Sequence, residues 1–286
     1  MEKYKLTNVS QIMKFNNSIL LVDDEITIIE PFEQDLITIL QNLLKGISLD
    51  DLNELRSKNS IDITEVLELL KENGLLKRYN ENKYIGTTLE KQWYYFDGIS
   101  DYDPNDCQKN IEDKMVCIIG LGGVGTVLVD SLMRSGVKKF VVLDFDNVTI
   151  TNLNRQVMYD MNDLGKKKTD SIYSKIKKYD SSIKVYTMDK KIEHLDDLLV
   201  LDNFPITVIV NAADKPNNIA DMVYKYAEKR CIAANGGSVG RNQGSWGPMI
   251  VPNKTTTYDV FKKNELSKMK DHEKYIISNE CIFWAN

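Results

Sequence analysis

No run in this chain approaches the ~20 uninterrupted apolar residues that a membrane-spanning helix requires. The opening residues Met1-Glu2-Lys3-Tyr4-Lys5 lead into no apolar signal region, so neither a membrane partner nor export is expected, and a cytoplasmic location is. Cysteine is scarce. Cys107, Cys117, Cys231 and Cys281 stand far apart without a Cys-x-x-Cys pair, which excludes a disulfide framework and leaves no thiol set for zinc. The two histidines, His194 and His272, have no metal-binding neighbours and read as surface residues. With 15 glycines and 6 prolines in 286 residues, collagenous and low-complexity classes are excluded as well. Positive charge is in no surplus either: 37 Lys and Arg face 42 Asp and Glu, a net charge of −5, so nothing draws phosphate backbones and no nucleic-acid partner is expected.

What remains is globular material, 42% hydrophobic and 28% charged, long enough for one large domain or a small one joined to a medium one. Residues 18–30 read as a hairpin around the acidic turn Asp23-Asp24-Glu25. Phe32, Leu36, Ile39, Leu40 and Leu43 then recur at helical spacing until Gly46. A second helix opens at Ser48, with Asp51 three residues on as a capping box, and a third carries Ile63, Val66, Leu67 and Leu70 before Gly74. Residues 79–85 read as extended. Residues 1–86 thus describe a winged-helix-like α+β domain, and such domains commonly bind DNA.

Charge speaks against that use here. Residues 1–90 hold 10 basic and 16 acidic side chains, a balance of −6, and a helix laid among phosphates would meet repulsion. A peptide partner fits better, because an exposed strand edge beside a helix takes an extended peptide by strand addition. A packing or dimerisation module without a ligand is the plainer alternative. Residues 87–113 form a polar connection whose aromatic patch, Trp93-Tyr94-Tyr95-Phe96, reads as a docking segment. Over 114–286 strands at 115–119, 139–143, 184–188, 207–211 and 231–234 alternate with helices from 124 and at 169–179 and 218–229, the pattern of a mostly parallel, Rossmann-like α/β sheet.

Gly120-Leu-Gly122-Gly123-Val-Gly125 follows the first of these strands and opens a helix, the context of a phosphate loop. Glycine lets the backbone approach a phosphate closely, and the helix N-terminus adds unpaired N–H groups and partial positive charge. Asp144, nineteen residues after Gly125, ends the next strand where a carboxylate can take ribose hydroxyls. The glycines alone do not separate NAD from ATP. The following run does: beyond Asp146, the residues Asn152, Arg155 and Gln156 offer neutral donors and a guanidinium for a triphosphate and have no obvious use in a nicotinamide dehydrogenase. Lys168, at the end of Asp163-Leu-Gly165-Lys-Lys-Lys168, opens a helix near those phosphates, where a point charge opposes developing negative charge. Asp214 ends the 207–211 strand region at the edge where ligands bind and suits magnesium.

Together Gly120-x-Gly-Gly-x-Gly125, Asp144-x-Asp146, Asn152-x-x-Arg155-Gln156, Asp163-x-Gly165-x-x-Lys168 and Ala213-Asp214 resemble the ThiF/MoeB-type adenylating enzymes, relatives of the ubiquitin-activating enzymes. The resemblance covers about residues 88–258. It is nearest to the microcin C-type peptide-modifying subgroup, since a small peptide-clamp-like domain precedes the core and Gly236-Gly237 through Gly247-Pro248 has that subgroup's look.

The resemblance implies activation of a carboxylate on a precursor (leader) peptide with ATP and Mg²⁺, in bacteriocin-like maturation, by a homodimer. It places Gly120, Gly122, Gly123 and Gly125 in the nucleotide loop and Asp144 on the ribose, with Asp146 among the nucleotide-binding residues. Asn152, Arg155, Gln156 and Lys168 fall on the phosphates, with Asp214 as the metal ligand. Family members carry an arginine that reaches across the dimer; here Lys91 occupies that segment, keeping the charge and losing the fork. The usual zinc-binding thiols are absent after Val251-Pro252, and the core is expected to be C-terminally short. Cys281 has no basic neighbour to lower its pKa, so a thioester role is not expected. Two alternatives remain: a peptide-binding scaffold whose core is silent, and a sulfur-carrier-protein adenylyltransferase.

Overall fold

The computed structural model describes residues 2–7, 9–23, 25–56, 62–239 and 244–268. The chain divides into two compact units, Met1–Gln108 and Lys109–Asn286.

In the first unit β1 (Lys3–Leu6) is followed by a meander of β2 (Gln11–Phe15), β3 (Ser18–Val22) and β4 (Ile26–Ile29), then α1 (Gln34–Lys45), β5 (Ile47–Ser48), α2 (Leu49–Arg56), α3 (Ile63–Glu72) and β6 (Leu76–Arg78). β3 lies antiparallel between β2 and β4, while β1 lies antiparallel between β5 and β6. The expected hairpin is β3–β4; Asp24 of its turn lies outside the described residues. Leu36, Ile39, Leu40 and Leu43 form the buried stripe of α1 and meet Ile19 and Leu21 of β3 and Leu70 of α3 in one core. α1 stops where Gly46, at φ +84°, donates its N–H to the Leu43 carbonyl. The capping box forms as expected: Asp51 N–H donates to Ser48 Oγ at 3.1 Å, and Ser48 Oγ donates to the Asp51 carboxylate at 2.6 Å.

One element sits earlier than expected. The extended segment is β6, not 79–85, because Leu75 N–H closes onto the Leu70 carbonyl and Leu6 pairs with Leu76, which spends the apolar residues first. Asn82 then turns the chain by accepting from Tyr84 N–H at 2.8 Å. The connection at 87–113 is helical: α4 (Glu90–Ile99) and α5 (Pro104–Asp113). Trp93 is buried, its indole N–H donating to Asn105 Oδ1 at 3.0 Å, whereas Tyr94 and Tyr95 stay exposed. Asp97 is buried beneath the ammonium groups of Lys5 and Lys77, which ties α4 to β1 and β6.

The second unit runs β7 (Met115–Ile119), α6 (Gly123–Arg134), β8 (Lys139–Asp144), α7 (Lys168–Tyr179), β9 (Lys184–Asp189), β10 (Val208–Asn211), α8 (Ile219–Ala227), β11 (Ile232–Asn235), the pair β12 (Ser238–Val239) and β13 (Gly244–Ser245), β14 (Met249–Ile250) and α9 (Tyr258–Lys268). The six-stranded sheet has the order β14-β11-β10-β7-β8-β9, and only β14 is antiparallel. β7 is buried throughout. Its Met115, Cys117 and Ile119 face α8, and Val116 and Ile118 face α6 and α7 with the fully buried Phe140. This is a mixed α/β, Rossmann-like architecture. Strand order reverses beside β7, between β8 on one side and β10 on the other, and such a switch point opens a crevice at the carboxyl ends of the strands. Among the described residues no helix is long and apolar enough to cross a membrane.

Candidate functional site

The loop after β7 shows why glycine is placed where it is. Gly120 has φ +89°, and a Cβ there would lie 2.7 Å from the Ala213 backbone nitrogen. A Cβ on Gly125 would lie 1.9 Å from the Gly120 carbonyl, so this glycine lets α6 start hard against the loop. Gly122 differs: the nearest atom to its virtual Cβ is Gln156 Nε2 at 3.9 Å, leaving the loop's outer side open. The first return bond of α6 runs from Thr126 N–H to the Gly122 carbonyl, so the N–H groups of Gly123, Val124 and Gly125 belong to the unpaired first turn.

Asp144 ends β8 beneath this loop. One carboxylate oxygen accepts from Leu121 N–H at 2.6 Å and the other from Asp146 N–H at 2.8 Å, so this side chain shapes the glycine loop and its own turn together. The run after β8 is then zipped to the run before α7. Val148 N–H donates to Lys166 O at 2.8 Å, Gly165 N–H to Val148 O at 2.9 Å, and Lys168 N–H to Asp146 O at 3.0 Å. Gly165, at φ +80°, makes the reversal possible. The three-lysine run is therefore not a uniformly solvated face. Lys166 is exposed and Lys167 half-buried, while Lys168 is 5% exposed and places Nζ 2.7 Å from Asp146 and 3.7 Å from Asp144.

Asp214 and Lys215 leave the end of β10 exposed, on a turn braced by the buried Asn211, which donates to the Ala213 carbonyl at 3.1 Å and to Asn235 Oδ1 at 2.8 Å. Of the residues singled out in the sequence, Gly120, Gly122, Asp144, Asp146, Lys168 and Asp214 line one cleft. Gly123, Gly125, Asn152, Arg155 and Gln156 stand on the loop or beside it. Asn152 accepts from Thr149 N–H at 3.0 Å as a local cap, and Arg155 donates to the Thr151 carbonyl at 2.8 Å and to Asn154 at 3.1 Å. Gln156 is buried next to Gly122 with its Oε1 unpaired. Lys91 belongs to the first unit, its ammonium 5.8 Å from the Tyr94 ring centroid.

Among the lining residues that escaped the sequence reading are Phe145, Lys190, Ile192 and Lys215. Lys190 directly follows β9 and Lys215 follows Asp214, so the rule that ligands sit beyond strand carboxyl ends was the available signal. Lys190 is held by Asp197, 3.0 Å from its carboxylate, and that carboxylate also accepts from the N–H groups of Glu193 and His194, which holds it well below the usual range. Cys117 is buried in β7 and Cys231 is buried just before β11, where burial pushes its thiol up to about 11. Cys281 and His272 lie outside the described residues.

A glycine loop with an open outer face, a helix N-terminus, a buried lysine and an exposed carboxylate converge at the switch point, the donor set a polyphosphate and its cation require. The sequence profile of the ThiF family matches residues 97–279. The chain belongs to the ThiF family. Among its relatives is the tRNA threonylcarbamoyladenosine dehydratase of Haemophilus influenzae, 29% identical over 149 residues, which cover 51% of this chain and 56% of that protein. The ubiquitin-like modifier-activating enzyme 5 of Caenorhabditis briggsae is 36% identical over 101 residues, 35% of this ThiF-family chain and 22% of that enzyme. The chain thus spans little more than half of the first relative and about a fifth of the second. Solved structures similar in fold reach further. E. coli MccB with ATP superposes with a TM-score of 0.73 at 22% identity, covering 96% of this chain and 80% of that one. The microcin C7 biosynthetic enzyme MccB in complex with N-formylated MccA gives 0.73 at 23%, covering 98% and 82%.

Proposed function

We propose that this ThiF-family chain adenylates a carboxylate on a ribosomally made precursor peptide, with ATP and Mg²⁺ at the cleft beside the glycine loop and the peptide held by residues 1–86. The observation that carries the reading is the convergence of the open face of Gly122 at the N-terminus of α6, buried Lys168 and exposed Asp214 on one cleft. ATP fits these surroundings: Gly122 leaves room where a phosphate would approach, and the atom nearest that space is Gln156 Nε2, an amide donor.

The α6 N-terminus and Lys168 hold phosphoryl oxygens, and Asp214 holds the cation. The ATP supplies an α-phosphorus to which the carboxylate oxygen bonds as the bond to the outer two phosphoryls breaks, and pyrophosphate leaves. No covalent attachment to the chain is needed; positioning and fixed charge do the work. Ile119, Leu143, Ile192 and Ile219 form the apolar part of the cleft wall. A homodimer in which Lys91 reaches the partner's phosphates, and a cytoplasmic location, belong to the same proposal.

The test is isotope exchange between pyrophosphate and ATP, using purified protein and a synthetic peptide encoded beside its gene. Exchange should require the peptide and fall at least a hundredfold in Asp214→Ala; exchange that survives this substitution rejects the site. A second reading has one observation behind it: Arg155 spends its guanidinium on its own loop instead of lining the cleft. A silent core that delivers peptide to a partner enzyme would bind the peptide and show no exchange. A sulfur-carrier protein that supports exchange where the peptide does not would redirect the substrate class alone.

A further inference from the structure

The pairing of Lys168 with two carboxylates has a specific consequence. Asp144 is 8% exposed and has committed one oxygen to Leu121 N–H and the other to Asp146 N–H; Lys168 Nζ is 3.7 Å from it. Asp146 is the closer partner at 2.7 Å, and its side chain is 49% exposed while that of Lys168 is 6% exposed. The peptide groups of the same two residues are also bonded, Lys168 N–H to Asp146 O, at the end of the ladder that joins residues 146–148 to 165–168. A long, flexible lysine is thus fixed at both backbone and tip by one residue.

We propose that Asp146 is a positioning residue rather than a nucleotide ligand: its carboxylate holds the Lys168 ammonium in place beside the glycine loop. This rests on the ATP reading above and goes beyond it by assigning Asp146 a role through Lys168. Two effects of opposite sign follow from removing the carboxylate charge. The cleft becomes more positive, which favours a polyphosphate, while the ammonium loses its orientation, which slows the chemical step.

The test is Asp146→Asn, read by calorimetry with ATP and with adenosine, and by pyrophosphate exchange. ATP should bind the same or up to about threefold tighter by the Coulomb term, adenosine should bind unchanged, and the exchange rate should fall about tenfold with KM for ATP not raised. Asp146→Glu should recover part of the rate. In a Lys168→Met background Asp146→Asn should add almost nothing to the fall in rate, since the orientation of the ammonium is then lost already, while the Coulomb gain in ATP affinity persists. Weaker binding of adenosine by the variant would make Asp146 a ribose ligand and overturn the proposal. Unchanged ATP affinity and rate, or an undiminished fall in rate in the Lys168→Met background, would overturn it while leaving the ATP reading intact. Wild-type protein that does not bind ATP would end that reading first and this one with it.

Discussion

Asp180 shows how single carboxylates hold this fold in place. It ends α7, accepts from Ser182 N–H at 2.8 Å and pairs with Lys138 at 2.7 Å, and these partners hold its carboxyl down to about 2. Because the folded value lies below the unfolded one, the stabilisation is present above about pH 4 and is lost as pH falls from there toward 2. Lys138 and Asp180 are 36% and 29% exposed, so solvent screening keeps the contribution to about 1 kcal/mol or less. Asp180→Asn should lower Tm by a few degrees at pH 7, and the gap to wild type should close near pH 2. A gap that stays constant across that range would remove the ion pair from the account. At this scale the residue types of the site were legible in the sequence and their partners were not. Spacing placed Asp144 and Asp146 at a strand end, but which would face backbone N–H groups and which would face Lys168 depends on a loop ladder whose bonds are written in no local motif.

Among elements, α4 is one that the sequence hid. Residues 87–113 look like polar connection because their charged and aromatic residues alternate without a clean helical stripe, yet α4 is fixed through Trp93 and Asp97. Asp97 meets both Lys5 on β1 and Lys77 on β6, and burial lowers the pKa of Lys77 although Asp97 opposes the shift. Asp97→Asn would leave two half-buried ammonium groups without a counter-charge, at a cost of about 3 kcal/mol. Urea unfolding followed by tryptophan fluorescence should show the drop in midpoint; a change under 0.5 kcal/mol would contradict the role given to this triad. By contrast the Ser48–Asp51 box and the stop at Gly46 were readable, because caps and glycine stops are local physics. The strand at 79–85 was misplaced for the opposite reason, since β6 is chosen by pairing with β1 across the unit.

At the level of the whole molecule, the alternation of strands and helices after Lys114 was enough to give the Rossmann-like sheet, and every parallel strand lies within a residue or so of its expected place. Strand order and the antiparallel β14 came only from three dimensions, as did Lys190, brought to the cleft by the end of β9. The account stands on that cleft taking a triphosphate. Calorimetric titration of wild-type protein and Lys168→Met with ATP plus magnesium, and with NAD, tests it most directly. Saturable ATP binding, weakened about tenfold or more in Lys168→Met and accompanied by no NAD binding, is the predicted result. NAD binding with ATP ignored, or ATP affinity indifferent to Lys168, would contradict it.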